Sequence, residues 1–123
     1  MNIKVRNYLI ELTRNKTNPT VNYQKLSDDC NLGLKMSDGQ HTRKKIGEIL
    51  GEISEFEHIS KRPLLSALVI RLSDGEEGDG FYKLAERLGF GNWKKLKTDL
   101  FEYKQITECV DKWNDDKFYQ LNK

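Results

Sequence analysis

"HTRKKIGEILGEISEFEHIS", residues 41–60, decides the fold class. Ile46, Ile49, Leu50, Ile53 and Phe56 recur at the three- and four-residue steps of one helix face. Glu48, Glu52 and Glu55 fall on another face. The pattern predicts a long amphipathic helix with one buried and one solvated side. Its first turns carry His41, Arg43, Lys44 and Lys45. Cations are disfavoured there by the helix dipole, so a basic start is either a solvated face or an end shaped to meet an anion.

Working back towards the N-terminus, "NLGLKMSDGQ" (31–40) turns the chain, with Gly33 and Gly39 as its flexible points. A shorter helix is expected from Tyr23 to Cys30, capped by Asn22, with Leu26 and Cys30 facing one way. "TVNY" (20–23) reads as one short strand. A first helix spans Ile3 to about Lys16, with Val5, Tyr8, Leu9 and Leu12 in a stripe and Ile10 off it. "NKTNPT" (15–20) ends that helix.

Working forward, Pro63 bars a continuing helix in "RPLLSALVIRLS" (62–73). Its near-continuous apolar run predicts a strand over 64–72 with both faces covered. "SDGEEGDG" (73–80) is a turn. A helix follows over Phe81–Leu88, stopped by Gly89. Asn92 caps a last helix, in which Trp93, Leu96, Leu100, Tyr103, Ile106, Val110 and Trp113 are spaced by three or four. Residues 114–123 either fray or add one more turn.

The expected fold class is therefore mainly α with a small β component. The order helix, short strand, helix, turn, helix, strand is that of a winged helix-turn-helix-like domain, here with added C-terminal helices. Residues 1–123 read as a single domain, with a core over 20–80 and a helical extension over 81–123.

Bulk properties narrow the function classes. Of the 123 residues, 37% are hydrophobic and 33% charged, so the chain is polar yet able to bury one modest core. No run approaches the ~20 apolar residues of a membrane span. The N-terminal segment is too charged for a signal peptide. Cys30 and Cys109 lie far apart without a CxxC partner, so both are expected as reduced thiols in a cytoplasmic protein. Net charge is only +2, but residues 1–50 carry nine Lys and Arg against five Asp and Glu. Residues 51–92 reverse this, with five against eight. A nucleic-acid surface would lie in the first half.

Catalytic and metal constellations are expected to be absent. His41 and His58 are the only histidines, and neither neighbours a cysteine at zinc spacing. No GxSxG, HExxH, Walker or GxGxxG pattern occurs. Asp74, Glu76, Glu77 and Asp79 invite a metal reading, but "DGEEGD" lacks the ligand offsets of a calcium loop. Turn-forming glycines and solubilising acids account for it more simply. No enzyme activity and no cofactor are expected. A metal-dependent nuclease using these acids is the least favoured alternative.

Residues 20–89 resemble the DNA-binding domain of the alkylguanine-DNA alkyltransferases and alkyltransferase-like proteins. The resemblance is carried by Tyr23 in "VNYQKL", Arg43 and Gly47 in "TRKKIGEIL", the proline-led "RPLLSALVI", and "GDGFYKLAERLG". The family's reactive "PCHR" is replaced, since Leu64, Leu65 and Ser66 follow Pro63. The resemblance thus implies a DNA-binding scaffold without alkyl transfer. It implies Arg43 as a residue inserted beside a base and Tyr23 as a phosphate contact.

Two partner classes follow. The leading expectation is a non-catalytic DNA-binding winged-helix protein of a bacterial or phage system, meeting duplex DNA through Tyr23, Lys35, Gln40, His41, Thr42, Arg43 and Lys44. The alternative is a small protein-interaction module, such as an inhibitor, an immunity protein or a subunit of a larger complex. Self-association would use residues 93–113 as a homodimer contact.

Overall fold

The structure, a computed structural model, describes residues 1–15, 17–71 and 78–123. Its first helix, α1 (Ile3–Arg14), is capped by the Asn2 side chain, which accepts from the Val5 amide. It buries Val5, Leu9 and also Ile10, so the buried face is wider than the stripe predicts. Strand β1 (Val21–Asn22) runs directly into α2 (Tyr23–Asp29), and Asn22 caps α2 through the Lys25 amide at 2.8 Å. A 3-10 turn at Met36–Asp38 precedes α3 (Gln40–Ile59). Gly39 begins α3 with φ of +109°, a conformation that L side chains rarely adopt.

Of the expected strand over 64–72, residues 64–71 are described and are mostly something else. Leu65–Leu68 is a 3-10 turn, and only Val69–Ile70 (β2) pairs. The physical reason lies in its hydrogen bonds. A strand needs neighbours, whereas here buried side chains satisfy the backbone. The Leu64 amide donates to Gln105 Oε1 at 2.9 Å, and the Ser66 amide donates to Ser54 Oγ at 3.2 Å. β2 pairs with β1 in parallel, Val21 opposite Val69 and Asn22 opposite Ile70. The described residues hold no antiparallel hairpin, and the acidic residues 74–77 lie outside them.

Helix α4 (Asp79–Arg87) starts two residues earlier than the sequence predicts. The expected last helix is in fact two, α5 (Trp93–Thr98) and α6 (Phe101–Trp113), separated at Leu100 in a left-handed conformation. Residues 116–122 form a further helix, α7 (Asp116–Asn122), capped by Asp115. The chain is mainly helical. No helix among the described residues is long and apolar enough to cross a membrane.

The main core gathers Leu9 and Ile10 of α1, Leu26 of α2, Ile46, Leu50 and Ile53 of α3, Leu65, Leu68, and Cys109 and Trp113 of α6. Each such aliphatic side chain contributes about 1.5–3 kcal/mol by burial. A second cluster joins Leu64 and Ala67 to Phe81, Tyr82 and Ala85 of α4 and Phe101 of α6. Ile106 packs against both. The expected dimer row over 93–113 is thus partly spent internally. Phe101, Cys109 and Trp113 are buried, while Leu100 and Tyr103 face solvent.

Candidate functional site

A groove of about 1120 Å³ runs along α3. Its opposite walls come from the start of α2 and Met36 at one end and from α4 at the other. The position of α3 is fixed by the connection before it. Ser27 Oγ donates to the Leu34 carbonyl at 2.7 Å and accepts from the Leu34 amide. Gln24 accepts from the Met36 amide at 2.8 Å and donates to the Leu34 carbonyl. These bonds pin residues 34–36 to α2 and so set the angle at which α3 leaves. The connection spans 30–39, well beyond the about three or four residues of a compact helix-turn-helix.

Four of the seven expected contact residues converge on this groove: Tyr23, Gln40, Arg43 and Lys44. Arg43 and Lys44 are exposed, and neither side chain has an ion-pair partner among the described residues. Lys35 and His41 are exposed but lie outside the groove lining. Thr42 is corrected: it is only 3% exposed, with its hydroxyl 3.4 Å from His41 Nε2. At helical spacing it falls on the Ile46 side of α3, so it packs inward and is not a surface contact.

The α3 N-terminus has no side-chain cap and no acid in its first turn. Its first amides are therefore left to solvent or to a ligand. The two cations follow immediately. This arrangement favours an anion electrostatically.

The sequence reading missed Arg71, Arg87 and two glycines. Arg87 reaches across the groove to Glu55 of α3, Nη2 to Oε1 at 2.7 Å. Gly47 and Gly51 line the groove within α3. A mid-helix glycine costs about 0.5–1 kcal/mol relative to alanine. A Cβ placed on either would meet nothing within 4 Å. Internal packing therefore does not require them. The available signal was their spacing, since Arg43, Gly47, Gly51 and Glu55 stand four apart in one row.

Of the loop acids, Asp79 is described, and Lys97 binds it at 2.7 Å. That ammonium holds the Asp79 carboxyl below the ordinary carboxylate range. No cluster of His, Cys, Asp and Glu among the described residues has a metal-holding arrangement. Burial raises the pKa of both thiols, Cys109 most strongly. Comparison of the chain with protein-family models, with curated proteins and with solved structures finds no match, so the reading of the groove rests on its own geometry.

Proposed function

We propose that the protein is a non-catalytic DNA-binding module that meets duplex DNA through the N-terminal end of α3, on a winged-helix-like scaffold with a widened turn between α2 and α3. The observation carrying this reading is the exposed Arg43–Lys44 pair, without an ion-pair partner among the described residues, at an uncapped helix start beside Tyr23 and Gln40. Lys35 and His41 extend the same basic end. Phosphates would displace solvent from these cations and release counterions, which makes affinity fall with salt. Binding to a fluorescent duplex, titrated at several salt concentrations, tests the proposal. A steep negative slope is expected, with Arg43→Ala weakening binding by ~1–3 kcal/mol if the guanidinium reads a base. A salt-independent isotherm would remove the DNA reading.

A second reading is a protein-interaction module. The groove favours it through its mixed lining, since Glu48, Glu52 and Glu55 follow the cations along α3. Isolation with a stoichiometric protein partner that blocks Arg87 and Glu48 would support it over DNA binding.

A further inference from the structure

We propose that α3 is also a self-recognition surface, pairing antiparallel with α3 of a second copy of this chain across the row Arg43, Gly47, Gly51, Glu55. All four residues line the groove. The row is its own complement. Its centre falls at position 49, midway between the two glycines and midway between Arg43 and Glu55. Reversing a second α3 about that centre sets Gly47 against Gly51 of the copy and Arg43 against Glu55 of the copy. The two-fold axis repeats both contacts, as an isologous interface requires.

The sterics agree with the charges. Rows spaced by four residues are ridges that helices interdigitate. Here the middle of the ridge is absent, because neither glycine carries a side chain and space beyond each is open. A partner backbone can approach there more closely than at any residue with a Cβ. The row spans about 18 Å from Arg43 to Glu55, so its charges sit at the two ends and fix orientation rather than supply most of the affinity. Glu55 meets Arg87 through one carboxylate oxygen, and both side chains are exposed. The second oxygen is thus open to an Arg43 from outside.

Sedimentation equilibrium of the full chain, at low salt and increasing concentration, tests the dimer. The mass is expected to rise from 14.4 kDa towards twice that value. Gly47→Ala with Gly51→Ala should abolish the rise while increasing the melting temperature of the monomer by a few degrees. That combination separates a lost interface from a damaged fold. Arg43→Glu with Lys44→Glu should be monomeric alone, as should Glu52→Lys with Glu55→Lys. An equimolar mixture of these two variants should regain the dimer, because both pairs of positions 43 and 55 across the axis are again opposite in sign. A wild-type chain that stays monomeric to about 1 mM, or a mixture that does not reassociate, overturns the proposal. The measurement needs no DNA. The Glu52→Lys, Glu55→Lys variant keeps the basic end, so duplex binding and dimer formation are lost separately.

Discussion

Glu57 is the residue whose environment departs furthest from its appearance in the sequence. It is fully buried, and both its oxygens are taken. Arg6 Nε donates to Oε1 at 2.9 Å and Arg62 Nε to Oε2 at 2.5 Å. Both guanidiniums also lie over the Phe56 ring, 5.2 Å from its centroid. Removing the acid leaves two largely buried cations without their anion. Glu57→Ala is therefore expected to cost ~3–5 kcal/mol in urea unfolding. A loss below about 1 kcal/mol would show that water readily replaces the carboxylate. Glutamate on an amphipathic helix reads as solvated, and the apolar stripe continues through Phe56 instead. The regular continuation of Ile46, Leu50 and Ile53 is position 57, and Phe56 remains 43% exposed. The signal was present in the spacing, but residue type overrode it. Cys109 is the converse case, legible as an inert thiol from the start. Its Sγ contacts the Leu64 carbonyl at 3.5 Å, and burial keeps its pKa well above the ordinary thiol value. Below pH ~8.5 the thiol is protonated in both states and has no effect on the pH slope. Above it the unfolded chain ionises and the folded chain does not, so this group's contribution to stability falls as pH rises. Cys109→Ser in a Cys30→Ser background should flatten the stability–pH curve on the alkaline side. An unchanged slope would remove Cys109 as its source.

Helices announced by a strong stripe or by a capping residue are legible: α3 by its stripe, α2 behind Asn22 and α5 behind Asn92. The break between α5 and α6 was not, because an unbroken three-and-four spacing runs through Leu100. At that point the chain adopts φ 57° and ψ 45°, and Leu100 is 52% exposed. A non-glycine residue in that region carries a strain of roughly 1–2 kcal/mol. The break lets α5 fold back against α4, where Trp93 and Leu96 cover Phe81 and Phe101. A continuous helix makes Leu100→Gly costly, through both lost burial and glycine's flexibility. The observed geometry predicts a change between neutral and about 1 kcal/mol stabilising. Thermal unfolding of that variant distinguishes the two, and a loss of several degrees would contradict the break. The segment 64–72 failed for a related reason. Its apolar run is genuinely buried, but periodicity reports burial and not who satisfies the backbone. Ser54 and Gln105 do so, from helices 12 and 41 residues away.

At the scale of the molecule, the two chain ends clasp each other, which no local pattern could show. Arg14 donates to the Trp113 carbonyl at 2.8 Å and pairs with Asp116 at 2.7 Å. Asn114 donates to the Thr13 carbonyl, and Arg6 donates to the Asn122 carbonyl. Glu11 receives Lys123 at 2.5 Å and also accepts from the Tyr119 hydroxyl. The Lys123 contact, then that of Tyr119, hold the Glu11 carboxyl below the ordinary carboxylate range. Its contribution is present above the unfolded value of ~4.3 and is lost as pH falls through the lower folded value. The clasp also covers the main core, since Phe118 meets Trp113 edge-on at 4.9 Å. At the end of the sequence, residues 114–123 read as fraying or as one added turn. Their contribution is instead made by polar bonds to α1, over separations of about one hundred residues. A chain ending at Asn114 would expose Trp113, take the Asn122 carbonyl from Arg6 and take Asp116 from Arg14. It is expected to lose about 3 kcal/mol or more in chemical unfolding, and in a Trp93→Phe background its remaining tryptophan emission should shift to longer wavelength. Unchanged emission would mean that α1 and α3 shield Trp113 without α7. The α3 row lies on other elements, so dimer formation and duplex binding should survive this truncation wherever the shortened chain stays folded, which separates the support of the fold from the surface proposed to act.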